Sequence, residues 1–484
     1  MNLYIINHKF HYELENLTRL FYPNEKINVI KEDSGFSEPY IITKLDTDLT
    51  VSVNIGGYKK TLNSAISDDN ERMMCEMLYK LLCNKTGVTP PWGMITGVRP
   101  IKLYRALLKK GGTDYADNYF TDKLFVDEDK LNLAKLTEHN ESKILNLSGE
   151  KSISLYIAIP FCPSRCKYCS FVQSSVERSG HLVEPYVELL LKELEYTAEI
   201  VNNLGLKLET VYMGGGTPTT LSAEQMSKVL NTVNSRFDMS NCKEFTVEAG
   251  RPDTITKDKL ISIKENKVNR ISINPQTLND EVLSVIGRKH STEQTLKAYS
   301  LARKTGFECI NTDLIAGLPS ESYESFKDSL ERICDLAPEC ITIHTLSMKR
   351  SSTLTQDGTQ INKEDAKRTR NMLSFAEKKL KEEDYSPYYL YRQSRMLGNL
   401  ENTGWSKKGF ESLYNIFVMD ETHTILGCGA GAVTKLKNPY SDYLERIFNF
   451  KYPYEYISRF EEMLERKNEI YSFYRKCLKT PSFN

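Results

Sequence analysis

Three cysteines, Cys162, Cys166 and Cys169, fall within the stretch YIAIPFCPSRCKYCSF at residues 156–171. Thiolates are the ligands of iron–sulfur clusters, and a [4Fe–4S] cube has four irons to ligate. A C-x3-C-x2-C loop closes on three of them and leaves one iron open, a Lewis-acid docking point for an external chelating ligand. Zinc is the competing reading, but it takes four closed ligands, usually with C-x2-C pairs. No further cysteine pair or close histidine completes that set, and His181, twelve residues on, reads as the start of the next helix. The other eight cysteines (Cys75, Cys83, Cys242, Cys309, Cys334, Cys340, Cys428 and Cys477) are scattered. They read as small buried hydrophobes in a chain whose thiols stay reduced.

More polar residues recur at the ends of β-rich runs. GGGTPT (214–219) is a turn whose glycines let backbone N–H groups converge on a polar ligand without Cβ obstruction, or simply a tight turn. Glu248 closes the apolar run FTVEAG, where a carboxylate accepts hydrogen bonds from an amine or hydroxyls, or makes a strand-end salt bridge. Gln276 follows NRISINP and is neutral and bidentate, suited to orienting a ligand. Arg288, twelve residues further on, reads as a surface charge when taken alone. Asp313 lies within NTDLIAGLP, and Tyr156, by itself, is a packing tyrosine on a strand. GCGAGA (427–432) fits the loose dinucleotide pattern G-x-G-x-x-A, but too little chain follows for a complete βαβ unit, so it reads as close backbone packing. Arg99, Lys102, Lys349, Arg350, Arg392 and Arg395 flank these segments, either as solvated charge or as candidates for binding substrate carboxylates.

The elements that must hold these residues alternate in type. SISLYIAI, ETVYMGG, EFTVEAG, NRISINP, ECINTDLI and ITIHTL are short β-rich runs between about residues 153 and 347, with amphipathic helices between them. Val183, Val187, Leu190, Leu194, Ala198 and Val201 share one helical face, as do Met226, Val229, Leu230, Val233 and Phe237. Ser222 with Gln225 and Ser291 with Gln294 are capping boxes that begin helices. Six βα units predict a parallel sheet, as an open doubly wound sheet or an incomplete (β/α) barrel. Both place chemistry at the C-terminal ends of the strands.

Residues 1–145 read as a separate accessory region. NLYIINHKF, YIITKL and LTVSVNIGG alternate like antiparallel strands, NERMMCEMLYKLLCNKT reads as a helix, and Pro100 suits the first turn of another. The polar segment 111–149 reads as a connector with short helices. After the βα region (146–350), residues 351–484 carry strand-like SPYYLYRQ, YNIFVM and HTILGCGAGAV, then a terminal helix after Tyr452.

Lysine plus arginine equals aspartate plus glutamate, at 64 each in 484 residues. No global field steers such a chain to nucleic acid or anionic membrane, so a charged substrate is held by a local pocket. MNLYIINHKFHYELENLT lacks the basic stretch, apolar core and cleavage site of a signal peptide. No apolar run approaches the roughly 18 residues of a membrane span. The chain reads as a cytoplasmic monomer without nucleic-acid or membrane partners.

A C-x3-C-x2-C loop after a first strand resembles the radical SAM superfamily. YIAIPFCPSRCKYC, GGGTPT, FTVEAG, ISINPQ, GRKH and NTDLIAGLP together resemble the oxygen-independent coproporphyrinogen III oxidase family. PPWGMITGVRP, GNLENTGW and GCGAGAVTK resemble its HemZ-type branch, and the likeness spans about residues 90–435. The resemblance implies an α/β fold: a partial (β/α)6 radical SAM barrel with an N-terminal α+β region and a C-terminal α/β extension. It implies a [4Fe–4S] cluster on Cys162, Cys166 and Cys169, with S-adenosyl-L-methionine chelated at the open iron and cleaved to a 5′-deoxyadenosyl radical. Tyr156, Gly215, Gly216, Thr217, Glu248, Gln276, Arg288 and Asp313 then contact S-adenosylmethionine, Arg288 through the methionyl carboxylate. Tyr156 is also the implied catalytic contact with the substrate. The implied reaction is oxidative decarboxylation of the tetrapyrrole coproporphyrinogen III to protoporphyrinogen IX in haem biosynthesis, fed by a reducing donor such as flavodoxin or ferredoxin.

Three departures from the family pattern bear on the substrate. Ala158 stands where the family strand reads Tyr-Ile-His-Ile-Pro, Phe171 stands where the oxidases carry a further cysteine, and the N-terminal region is longer than usual. A haem-binding chaperone of the HemW type is an alternative, but Leu400 in LENTGW occupies the place of its haem-ligating histidine. A radical enzyme acting on another tetrapyrrole or on RNA is a further alternative; RNA predicts a basic stripe that the sequence lacks.

Overall fold

The structure, a computed structural model, describes residues 1–32, 35–169, 174–360 and 362–478; Phe171 lies outside them. The chain forms two compact units. One comprises Met1–Glu138, Thr359–Arg370 and Tyr391–Glu401, the other His139–Gly358, Asn371–Leu390 and Asn402–Asn484.

In the first unit, alternating apolar residues build a five-stranded sheet among the described residues, in the order Asn28–Ile30, Asn2–Ile6, Tyr40–Leu45, Leu49–Ile55, Tyr58–Ser64. Leu3, Ile5, Ile41, Val51 and Val53 form its buried face. Helices His11–Phe21 and Asn70–Thr86 cover that face with Leu14, Leu17, Met74, Leu78 and Leu82. The antiparallel expectation holds only for the later strands. Asn2–Ile6 runs parallel to Tyr40–Leu45, because the helix His11–Phe21 carries the chain back between them. The segment 111–149 is helical as expected, but its main helix is longer than the short ones anticipated. Helix Pro100–Asn118 runs into it with a break at Gly112, a short turn Tyr119–Lys123 follows, and helix Glu128–Leu145 buries Leu131, Leu133 and Ala134. The PPWGM and GNLENTGW motifs meet here: Trp92, fully buried, donates its indole N–H to Glu401 at 2.7 Å, and Lys130 reaches the other carboxylate oxygen at 2.5 Å.

In the second unit, six strands lie parallel and in chain order: Ser152–Ile159, Lys207–Gly215, Glu244–Glu248, Arg270–Ser272, Cys309–Ala316 and Cys340–Thr345, the first to sixth barrel strands. Helices Val183–Leu204, Ala223–Arg236, Lys257–Glu265, Thr292–Lys304 and Tyr323–Asp335 return between them, which makes the partial (β/α)6 barrel. Both capping boxes form, Ser222 with Gln225 and Ser291 with Gln294. Ile153, Leu155, Ile157, Val211, Met213, Phe245, Val247 and Ile271 belong to one buried core with these helices. Burial of each such side chain stabilises by roughly 1.5–3 kcal/mol. The polar residues Tyr156, Tyr212, Glu248, Asp313 and His344 have the opposite parity and belong to the other face of the strands.

The sheet continues past residue 350. Thr424–Cys428 pairs parallel with the first barrel strand, and Val433–Lys437 and Leu444–Phe448 follow antiparallel. On the opposite side Asn402–Ser406 pairs antiparallel with the sixth strand, and Ser386–Tyr391 lies outermost. One expected strand is a helix: YNIFVM lies within Leu413–Asp420, whose N-cap Ser412 accepts from the Asn415 N–H at 3.3 Å. The expected terminal helix is three short ones, Pro453–Ser458, Phe460–Lys467 and Glu469–Leu478. Among the described residues no helix is long and apolar enough to cross a membrane.

Candidate active site

The cysteine loop begins where the first barrel strand ends. Cys162, Cys166 and Cys169 are all buried. Backbone hydrogen bonds fix the loop: Cys169 N–H to Cys166 O at 3.1 Å, Lys167 N–H to Ile286 O at 3.0 Å, and Leu354 N–H to Lys167 O at 3.1 Å. Burial pushes the Cys162 thiol up to about 12 and the Cys169 and Cys166 thiols add to it, against the Thr217 hydroxyl 3.2 Å from its sulfur. Thiolates in such a pocket need compensating positive charge. Arg251 brings Nη1 to 3.9 Å from Cys166 Sγ and 3.2 Å from Ser164 Oγ, and grips Asp253 at 2.9 and 2.7 Å. Arg288 is buried and not a surface charge. It hydrogen-bonds Cys166, the Tyr168 hydroxyl at 3.2 Å and the Asn274 carbonyl at 2.6 Å. Three buried thiols on one loop, faced by guanidinium groups, fit a thiolate-held cluster of net negative charge.

The GGGTPT turn packs directly onto this loop. Gly216 N–H donates to Ile159 O at 2.7 Å and Thr217 N–H to Phe161 O at 2.8 Å. These donors therefore pin the chain leading into the cysteines instead of pointing at a ligand. A Cβ on Gly216 would stand 2.5 Å from Phe161 O and 2.8 Å from Ile159 O, both backbone atoms that cannot step aside. Gly216→Ala is expected to displace the cysteine loop and lower iron and sulfide per chain severalfold after anaerobic reconstitution, with the far-UV circular dichroism unchanged.

The strand ends beyond the turn gather polar side chains. Tyr212 donates its hydroxyl to Glu248 Oε1 at 2.5 Å. Burial pushes the Glu248 carboxyl up to about 7, with Asp313 adding and Tyr212 and His344 opposing. Tyr156, Tyr212 and Tyr414 stack, with centroids 4.5 Å apart for Tyr212 and Tyr414 and 6.3 Å from Tyr156 to each. Asp313 accepts from Asn311 Nδ2 at 2.7 Å and stands 3.6 Å from His344 Nε2. Gln276 is buried in a left-handed conformation (φ 73°), its backbone bonded to Asp313 O and Ile315 N–H at 2.9 Å each. Its amide Oε1 has no hydrogen-bond partner among the described residues. An unsatisfied buried acceptor costs about 1–3 kcal/mol, and a left-handed non-glycine residue is strained; such features collect at binding sites.

Of the candidate residues from the sequence, Gly215 and Glu248 end their strands, Gly216, Thr217, Gln276 and Arg288 lie in the segments that follow strands, and Tyr156 and Asp313 lie in the body of theirs, whereas Arg99 and Lys102 lie at the start of helix Pro100–Asn118. Thr217 and Arg288 stand at the thiols, and Tyr156, Glu248 and Asp313 share the polar face. Sequence reasoning missed Tyr212, Arg251, Asn274, His344 and Tyr414. Strand parity carried a signal for Tyr212 and His344, and Arg251 lies three residues past Glu248. Tyr414 carried none, because its segment read as a strand. In GCGAGA, Gly429 N–H donates to Glu193 at 2.7 Å and Ala430 N–H to the Tyr186 hydroxyl at 3.0 Å. A Cβ on Gly429 would stand 2.6 Å from Ala158 O, so this turn is close backbone packing against the first strand. Arg392 is buried and donates to Ile95 O and, at 2.9 Å, to Asn399 O, so the carboxylate-binding role left open for it is withdrawn.

Comparison with known proteins gives four results. The Radical SAM superfamily profile matches residues 156–333. The chain is similar to the oxygen-independent coproporphyrinogen-III oxidase-like protein HemZ of Bacillus subtilis, 36% identical over 475 residues, 95% of each chain. It is also similar to the heme chaperone HemW of Lactococcus lactis, 30% identical over 283 residues, 58% of this chain and 69% of that one. Among solved structures, coproporphyrinogen III oxidase (HemN) from Escherichia coli, a radical SAM enzyme, shares the fold with a TM-score of 0.53 at 22% identity, covering 66% of this chain and 72% of that one.

Proposed function

Because the chain belongs to the HemZ-type, oxygen-independent coproporphyrinogen III oxidase-like branch of the radical SAM superfamily, we propose that it oxidatively decarboxylates propionate side chains of coproporphyrinogen III, giving protoporphyrinogen IX. The observation that carries this reading is the buried three-thiol loop beside a polar strand-end face whose Gln276 oxygen has no partner among the described residues. A [4Fe–4S] cluster with S-adenosylmethionine, both implied by the superfamily, supplies one-electron cleavage of the sulfonium and hence a hydrogen-abstracting 5′-deoxyadenosyl radical.

Cys162, Cys166 and Cys169 hold the cluster, and Arg251 and Arg288 offset the thiolate charge. Arg288 also suits a carboxylate brought to the open iron. Gly216 and Thr217 have spent their N–H groups and the Thr217 carbonyl already accepts from Thr220, so the Gly215 and Gly216 carbonyl oxygens are the groups of this turn that suit an ammonium. Gln276 Oε1 accepts a hydrogen bond, and Glu248 and Asp313 accept from an amine or ribose hydroxyls. Tyr156 bounds the site with Tyr212 and Tyr414, three stacked rings that keep water from the reacting centre.

Glu248 sets a pH dependence. Its folded-state pKa of about 7 lies above the ordinary carboxyl value of 4.5, so the folded chain holds this proton more tightly than the unfolded one. This group's contribution to stability is therefore lost as pH rises from 4.5 through 7. Its acceptor strength moves the other way. S-adenosylmethionine affinity is expected to rise by up to about tenfold between pH 6 and pH 8, and Glu248→Gln to flatten that profile, as read by anaerobic calorimetry.

The function itself is tested with reduced, reconstituted protein and coproporphyrinogen III. Vinyl-bearing product formed with 5′-deoxyadenosine supports the reading; 5′-deoxyadenosine without vinyl product removes the substrate assignment. The chaperone alternative finds no axial ligand at Leu400, a fully buried aliphatic residue. Tight stoichiometric haem binding without turnover would favour it nonetheless.

A further inference from the structure

The first compact unit holds a cavity of about 820 Å³ that the barrel chemistry leaves unused. That volume falls within the roughly 300–1,000 Å³ of small-molecule sites. Its walls are largely apolar: Phe21 and Tyr22 at the end of the first helix, Val88 and Pro91 after the second, and Met396. Its charge is one-sided. Lys363, Lys367 and Arg370 recur at i, i+4 and i+7 on helix Lys363–Glu382, hence on one face, and Lys85 joins them against a single lining carboxylate, Glu25.

These cations are only partly neutralised. Lys363 and Lys85 donate to backbone carbonyls, Thr86 O at 2.7 Å and Gly56 O at 3.3 Å, and so keep their charge. Arg370 pairs with Asp127 at 2.6 Å. Lys367 is exposed and makes no hydrogen bond or ion pair among the described residues. A broad apolar cavity bordered by several separate cations complements an apolar molecule with several carboxylates. A single-headed fatty acid would use one cation and leave the rest unmatched.

We propose that this cavity binds a carboxylated tetrapyrrole macrocycle, a site additional to the one at the barrel, with propionates on the Lys363–Lys367 stripe and the ring against Phe21, Tyr22 and Val88. The class of occupant rests on the tetrapyrrole reading above; the cavity and its charge do not. Coproporphyrin III is the probe, titrated by fluorescence into the full-length reconstituted chain. One binding component is expected to weaken at least about tenfold in the double variant Lys363→Glu, Lys367→Glu and in the cavity-filling Val88→Trp. S-adenosylmethionine cleavage is expected to stay at the level of the unsubstituted chain in both. The same result in a chain that forms no vinyl product would leave this site standing while the proposed reaction fails. Titrations unchanged in both variants, or palmitate bound there in place of coproporphyrin III, would overturn it.

Discussion

Replacing Cys166 by alanine is expected to abolish reductive cleavage of S-adenosylmethionine, with 5′-deoxyadenosine below detection in anaerobic assays. The thiol belongs to a loop whose backbone is tied to Ile286 and Leu354, and the Arg251 and Arg288 guanidinium groups face it. Among the described residues the other eight cysteines belong to other segments of the fold, so none of them replaces a lost thiolate. The fold itself should survive, because removing one buried sulfur costs about 1–2 kcal/mol. Cys340→Ala is the matched control. Cys340 is equally buried, but it stands at the start of its strand, 2.8 Å from Arg270, the opposite end from the cysteine loop. Its loss should leave cleavage intact. Loss of cleavage in both variants would mean that the effect is structural and not due to ligation.

The largest expected stability effect lies behind the first barrel strand. Glu193 and Lys467 are 0% and 1% exposed and 2.9 Å apart. Glu193 also accepts from the Tyr456 hydroxyl at 2.6 Å, Asn449 Nδ2 at 2.7 Å and the Gly429 N–H at 2.7 Å. Glu193→Ala would leave the Lys467 ammonium with only the Gly427 carbonyl, and the Tyr456 hydroxyl and Gly429 N–H without this acceptor, in the interior, at a cost of about 3–5 kcal/mol. Denaturant titration reads this as a lower midpoint with unchanged slope. Adding Lys467→Met should recover only part of the loss, because the Tyr456 hydroxyl and the Gly429 N–H stay without this acceptor. A shift below about 1 kcal/mol would show that water or rearrangement satisfies these groups. The network matters to the site because the Tyr186 hydroxyl, which caps the Ala430 N–H, also donates to Ala158 O at 2.7 Å, two residues past Tyr156.

What the sequence made legible was local. The six barrel strands announced themselves as short apolar runs ending in polar or glycine residues, and both S-x-x-Q pairs formed the capping boxes their spacing implied. The cysteine spacing suggested the metal reading, to which the structure adds that all three thiols are buried. What stayed hidden depended on partners distant in sequence. Asn2–Ile6 has the same alternation whether its neighbour runs parallel or antiparallel, and the intervening helix decides it. YNIFVM is six residues, too short for strand and helix periods to separate, so the Ser412 cap settled its form. The glycine turn was located correctly, but spacing says nothing about where an N–H points. Only the approach of Ile159 and Phe161 shows that those donors are spent on the cysteine loop. Arg288 and Arg392 looked alike in sequence; one is buried at the thiols and the other beneath carbonyls of another unit.

The central claim is that three thiols hold a cluster with one iron free to bind S-adenosylmethionine. Electron paramagnetic resonance of the anaerobically reconstituted, dithionite-reduced chain, recorded with and without S-adenosylmethionine, tests it most directly. A [4Fe–4S]+ signal whose g-values shift on addition, and which is lost in Cys166→Ala, is the predicted result. A zinc-loaded, iron-free protein, or a cluster signal indifferent to S-adenosylmethionine, would contradict the account.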